Sequence, residues 1–114
     1  MAGIPSGNGS EVLKRKTIHS GGTGWTELFS GTANHIYTIL SVVAHDQGGA
    51  SSTIGMRIND GSNDIYLFDV TTLGAYGSFV WNDRLVMEGD DDIDVYSSTA
   101  DVDWYLSYID QDWT

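Results

Sequence analysis

The run Val102-Asp103-Trp104-Tyr105-Leu106-Ser107-Tyr108-Ile109 constrains this chain most. Val102, Trp104, Leu106 and Tyr108 fall on one side of an extended backbone. Asp103, Tyr105, Ser107 and Ile109 fall on the other. Successive side chains of a strand point to opposite faces, so this alternation marks a strand with one buried face. Ile54, Met56 and Ile58 alternate in the same way with Gly55, Arg57 and Asn59.

Short strand-like runs recur about every 8 to 12 residues, the spacing of an all-β fold. They lie at Glu11–His19, Trp25–Ser30, His35–Ala44, Ser52–Asn59, Asp64–Asp69, Ser78–Trp81, Arg84–Glu88, Ile93–Ser97 and Val102–Ile109. Between them stand Gly21-Gly22-Thr23-Gly24, Gln47-Gly48-Gly49-Ala50, Asn59-Asp60-Gly61-Ser62-Asn63-Asp64 and Asn82-Asp83. These residue types accept positive φ or bond their own backbone, which is turn chemistry. No window shows helical spacing. The stretch from His35 to Ala44 is apolar on both faces for much of its length, which suits a central strand or one covered by a partner chain. The expected fold is all-β: a single-domain antiparallel β-sandwich or jelly roll. The 114 residues suit one domain.

The N-terminal region is treated separately. Residues 1–10 are small, polar and Gly-rich and read as a short extended arm. The arm is taken to residue 16 and the sandwich as residues 17–114. Charge is divided at nearly the same place. Residues 1–19 carry Lys14, Arg15 and Lys16 against Glu11, a net of +2, while residues 20–114 carry a net of −13. An acidic body repels polyanions, so no nucleic-acid partner is expected. The basic patch fits a strand edge or flexible arm first, and electrostatic docking onto an acidic partner second. No apolar run reaches the roughly 20 residues of a membrane helix, and no membrane association is expected. Met1 to Gly7 lacks both the basic and the apolar part of a signal peptide. There is no cysteine, so no disulfide contributes.

Candidate chemistry is sparse. Glu88-Gly89-Asp90-Asp91-Asp92-Ile93-Asp94 places five acids in seven positions. Asp90, Asp92 and Asp94 have the spacing that opens an EF-hand loop. Such a loop needs Gly at its sixth position and Glu at its twelfth, where this chain has Val95 and Asp101. A solvated turn between strands is the expected role. His19, His35 and His45 have no close metal-ligand spacing, so no metal is assigned. There is no Gly-x-Ser-x-Gly elbow and no phosphate-binding Gly pattern. No catalytic residue and no cofactor are assigned. Four tryptophans, Trp25, Trp81, Trp104 and Trp113, could line a sugar-binding surface. Trp104 falls on the alternating apolar face and is assigned to the core. Trp113 is assigned first to packing against a neighbouring chain, then to its own domain, then to ligand stacking.

Five segments taken together carry a resemblance. They are Ala33-Asn34-His35-Ile36-Tyr37-Thr38-Ile39-Leu40-Ser41, Arg57-Ile58-Asn59-Asp60-Gly61-Ser62-Asn63-Asp64-Ile65-Tyr66-Leu67, Phe79-Val80-Trp81-Asn82-Asp83-Arg84-Leu85-Val86, Asp94-Val95-Tyr96-Ser97-Ser98 and Val102 to Gln111. The series resembles small virion proteins of tailed bacteriophages, either capsid decoration (cement) proteins or fibre-tip modules. It spans roughly residues 17 to 112. The resemblance implies a jelly roll that works by binding other virion subunits, with no catalytic residues. It implies the major capsid protein as partner, a homo-oligomer (trimer or dimer), and a place on the capsid exterior. The residues expected to make partner contacts are Ile4, Pro5, Val12, Leu13, Lys14, Arg15, Lys16 and Trp113. The alternative is a fibre or tail-tip module for a host glycan, using exposed aromatics such as Trp25 or Tyr76. An enzyme and a cellular lectin-like module are the more remote readings.

Overall fold

The computed structural model describes residues 11–113, and every regular element in that span is a strand. These are β1 (Glu11–Ile18), β2 (Gly24–Ser30), β3 (His35–Asp46), β4 (Ser52–Asn59), β5 (Asp64–Leu73), β6 (Ser78–Trp81), β7 (Leu85–Glu88), β8 (Asp92–Ser97) and β9 (Val102–Asp112). Each strand-like run of the sequence becomes one of them. Two call for comment: β9 continues to Asp112 and β5 to Leu73.

The strands form two antiparallel sheets. The first has the order β1-β9-β3-β6, with β7 also on β3; the second has the order β2-β8-β4-β5. β6 and β7 share one position in the first sheet. Ser78–Trp81 pairs with the far half of β3 and Leu85–Glu88 with its near half. Counted as one interrupted strand, they leave eight strand positions. The chain then changes sheet at every connection except the β4–β5 hairpin. This is jelly-roll connectivity.

The sheets enclose one core. Tyr37, Ile39, Val42 and Ala44 of β3 meet Ile54 and Met56 of β4, Ile93 and Val95 of β8, and Trp104, Leu106 and Tyr108 of β9. The alternation seen in the sequence at 102–108 lies inward as expected, with all four side chains buried. At one end Phe29, Tyr37 and Tyr108 form a three-ring cluster with edge-to-face centroid distances of 4.8, 4.8 and 5.9 Å. Edge-to-face rings add to their burial through the ring quadrupoles.

Two bulges explain places where period two fails. The β2–β8 register shifts between Glu27 and Phe29, so the consecutive residues Leu28 and Phe29 are both buried. The β3–β9 register shifts between Ile39 and Ser41, so Ile39 and Val42, three residues apart, both reach the core. A bulge inserts one unpaired residue and resets the phase of the strand. The two-sided apolar character of His35 to Ala44 therefore has two sources: the bulge at Leu40 and an outward set, Ile36 and Val43.

Glu11 to Lys16 are strand, because β1 pairs with β9 over eight consecutive residues. Residues 1–10, with Ile4 and Pro5, lie outside the described residues. The turn at Gly89 is sterically closed: a Cβ there would run into the Thr32 carbonyl oxygen and lie 2.8 Å from Ala33 Cα.

Candidate subunit interface

Five of the expected contact residues lie on β1, an edge strand. Cross-strand partners share a face, so the β1–β9 register sorts them. Val12, Lys14 and Lys16 sit opposite Asp110, Tyr108 and Leu106, on the core side of the sheet. Leu13 and Arg15 sit opposite Ile109 and Ser107, on the outer side. All five are exposed, because among the described residues β1 is an edge of the first sheet. The basic triplet therefore does not act as one patch.

Lys14 is bound within the domain. Its Nζ donates to Asp110 Oδ2 at 2.9 Å. His35 Nδ1 lies 2.7 Å from Asp110 Oδ1, and His35 Nε2 lies 3.6 Å from Asp112 Oδ1. Asp110 is only 7% exposed. Burial pushes its carboxyl up, but hydrogen bonds from Lys14 and His35 outweigh that, and the net shift is downward. The Lys14 ammonium is raised in turn, first by its hydrogen bond to Asp110 and then by that residue's charge. This cluster ties β1, β9 and the start of β3 together. Asp110 was not singled out in the sequence. The signal was there: the alternation of β9 continues past Ile109 and turns Asp110 inward.

Among the described residues, the outer side of the first sheet carries two apolar rows. Registers across β1, β9, β3 and β7 align Leu13, Ile109, Thr38 and Val86 in one row. A second row aligns Thr17, Tyr105, Val43 and Val80. Leu13 and Val86 are each 70% exposed and Val80 is 55% exposed. Shallow depressions of about 290 and 310 Å³ flank Tyr105, one toward Thr17 and Val43, the other toward Leu13 and Arg15. Three polar pairs on this side are bonded to each other, and Arg15, on the same side, is exposed. Ser41 and Ser107 share a hydrogen bond at 2.9 Å, His45 Nδ1 and Ser78 Oγ another at 2.9 Å, and Gln111 Nε2 donates to Glu11 at 3.0 Å. Those three pairs lose little when water leaves. This surface can bind a flat apolar partner.

The remaining expected sites lie elsewhere. Trp113 is half-buried; its N–H donates to the Asn34 carbonyl at 2.9 Å, and its indole Nε1 is buried without a hydrogen-bond partner among the described residues. The acidic stretch connects β7 to β8, as read from the sequence. Its carboxylates do not converge: Asp91 accepts the Glu88 N–H, while Asp94 faces Arg57 at 3.2 Å. Among the described residues no group of three or more His, Asp or Glu is placed to hold a metal ion.

The outer side of the second sheet carries a polar–aromatic cluster that the sequence did not reveal. The Arg57 guanidinium sits 4.1 Å from the Trp25 ring centroid, and Tyr66 and Tyr96 pack on that ring at 5.6 and 5.4 Å. The ring lies over Gly55, where a Cβ would come within 3.3 Å of it. Asp94 and Asp64 hold Arg57 at 3.2 and 3.6 Å.

No protein-family model matches this chain. No curated protein matches it by sequence. Solved structures do match it in fold. A protein of the Bacillus endospore appendages, described as disulfide-linked pili, has a TM-score of 0.58 at 12% identity, covering 100% of this chain and 95% of that one. A protein of the acid-stable capsid of Helicobacter pylori bacteriophage KHP30 has a TM-score of 0.56 at 9% identity, covering 91% and 89%. A protein of the infectious bursal disease virus particle has a TM-score of 0.53 at 13% identity, covering 89% of this chain and 30% of that one. The chain therefore has the jelly roll found in viral capsid proteins. At these identities the likeness is one of fold, and fold alone does not fix function.

Proposed function

We propose that this chain is a structural, non-enzymatic virion protein that decorates the outer surface of a tailed-phage capsid and reinforces contacts between capsomers. The observation that carries the reading is the open outer side of the first sheet. It is a largely apolar surface, with the Ser41–Ser107 pair bonded within it, on a jelly roll of which 91% matches a phage capsid protein in fold. The tailed-phage resemblance of segments 33–41, 57–67, 79–86, 94–98 and 102–111 points the same way. The major capsid protein is the partner in this reading. Residues 1–10, with Ile4 and Pro5, form an anchoring segment leading into β1. Arg15, Lys16 and Trp113 stand at the margin of the contact.

A direct test is co-sedimentation of the purified chain with heads of the parent phage stripped of it. Removal of residues 2–10 should weaken binding by at least about tenfold, equivalent to the loss of roughly 1.4 kcal/mol of contact. Undiminished binding would remove the anchoring role. No binding by the full chain would overturn the decoration reading.

A second reading has its own observation. Tyr66, beside Trp25 and Arg57 on the second sheet, is half-exposed, and such a ledge fits a fibre-tip module for a host glycan. Binding on a glycan array that is lost in Tyr66→Ala would favour it over decoration.

A further inference from the structure

We infer that the outer side of the first sheet is a two-fold interface between copies of this chain, with the axis parallel to the strands. The inference concerns the same surface as the reading above and names a second copy as its occupant; on a virion the shell contact would then fall to residues 1–10 and the margin of β1. The pattern of the surface is self-complementary. Leu13 on β1 and Val86 on β7 end the same row, on opposite margins of the sheet. A two-fold axis along the strands exchanges the margins and keeps the level. It sets Leu13 of one copy over Val86 of the other, twice. It also sets the Tyr105–Val43 pair over its own image and brings Val80 over Thr17, beside one of the depressions. Sheets packed in this way lie about 10 Å apart with their strands roughly aligned.

The dimensions fit. Four strand positions at about 4.8 Å and about ten residues at 3.3 Å give roughly 600 Å² per copy. Two copies bury roughly 1,200 Å², the lower limit of a specific interface, so a modest, concentration-dependent dimer is expected. The serine pair Ser41–Ser107 lies between the two apolar rows and is already hydrogen-bonded, so its burial leaves no unpaired hydroxyl. The net charge of −11 opposes association at long range. Raising salt shortens the Debye length from about 8 Å toward about 3 Å, so it should strengthen this dimer. Docking onto a basic partner would weaken instead. Residues 1–10 offer only Met1, Ala2, Ile4 and Pro5 as apolar groups and cannot reproduce two apolar rows.

The absence of cysteine makes the geometry testable in the full chain. Leu13→Cys and Val86→Cys are exposed single changes that should leave the fold intact. With a short bis-maleimide crosslinker, the mixture of the two variants should give a covalent dimer much faster than either alone. Sedimentation velocity of the unmodified chain should show a dimer, and Val86→Glu should weaken it at least tenfold. Several results would overturn the inference: a monomer at all concentrations and salts, a dimer indifferent to Val86→Glu, or crosslinking of each variant only with itself. So would dimerisation that appears only after removal of residues 2–10, which would mean that this segment covers the sheet in the intact chain.

Discussion

Asp110 shows how one side chain can join distant parts of the fold. Its oxygens are bound by Lys14, 96 residues away, and by His35, 75 residues away. Replacing it with Asn keeps the shape and removes the charge that both partners use. The expected loss is about 2 kcal/mol, typical of a hydrogen-bonded buried charge, and urea denaturation would measure it. Lys14 itself is nearly half-exposed, so its share is under about 1 kcal/mol. The pH dependence follows from the direction of the shift. A carboxyl held below its ordinary value binds fewer protons folded than unfolded, so its contribution is complete above the ordinary aspartate range. It is lost as pH falls through the lowered folded value. The stability gap between the native chain and Asp110→Asn should therefore be full at neutral pH and close in strong acid. A gap that does not change with pH would show that the charge is not what Asp110 contributes. No sequence pattern announces such a cluster, because its members come from three strands and meet only once the sheet is built.

At the scale of the strand, alternation carried most of the information. All nine runs were legible, from a period of two in the clearest of them and from turn residues between them. The bulges were not. Leu28-Phe29 and Ile39-Leu40-Ser41-Val42 each read as a loss of pattern, and only the partner strand shows that one residue has been inserted. β1 was legible as a strand-like run, though not as a member of the first sheet. What decides the matter is the β9 ladder, which lies at the other end of the sequence. The bulge in β3 yields a sharp expectation. Deleting Leu40 restores unbroken alternation, with Ile39 and Val42 both still inward, so the variant should fold and lose no more than about 2 kcal/mol. Deleting Val43 should turn the buried Ala44 and Asp46 outward and prevent folding. Circular dichroism and thermal melting distinguish the two. Equal behaviour of both deletions would contradict the assigned phase.

At the scale of the whole molecule, the jelly roll separates two outer surfaces of different character. The second sheet covers its outer side with its own aromatic and ionic cluster around Arg57. The first sheet leaves its apolar rows open. Sequence reading saw this surface only as the two-sided apolar character of one strand. The rows themselves are composed across four strands, from Leu13 to Ile109, and could not be read from any one of them. The proposed virion role rests on this open surface joined to a fold that capsid proteins share. The most direct test is the copy number of this chain in purified virions of its phage, measured by quantitative mass spectrometry against the major shell protein. A decoration protein should be present in hundreds of copies, near a fixed ratio to the shell. A few copies per particle would place the chain at a fibre or tail, and its absence from virions would contradict the account.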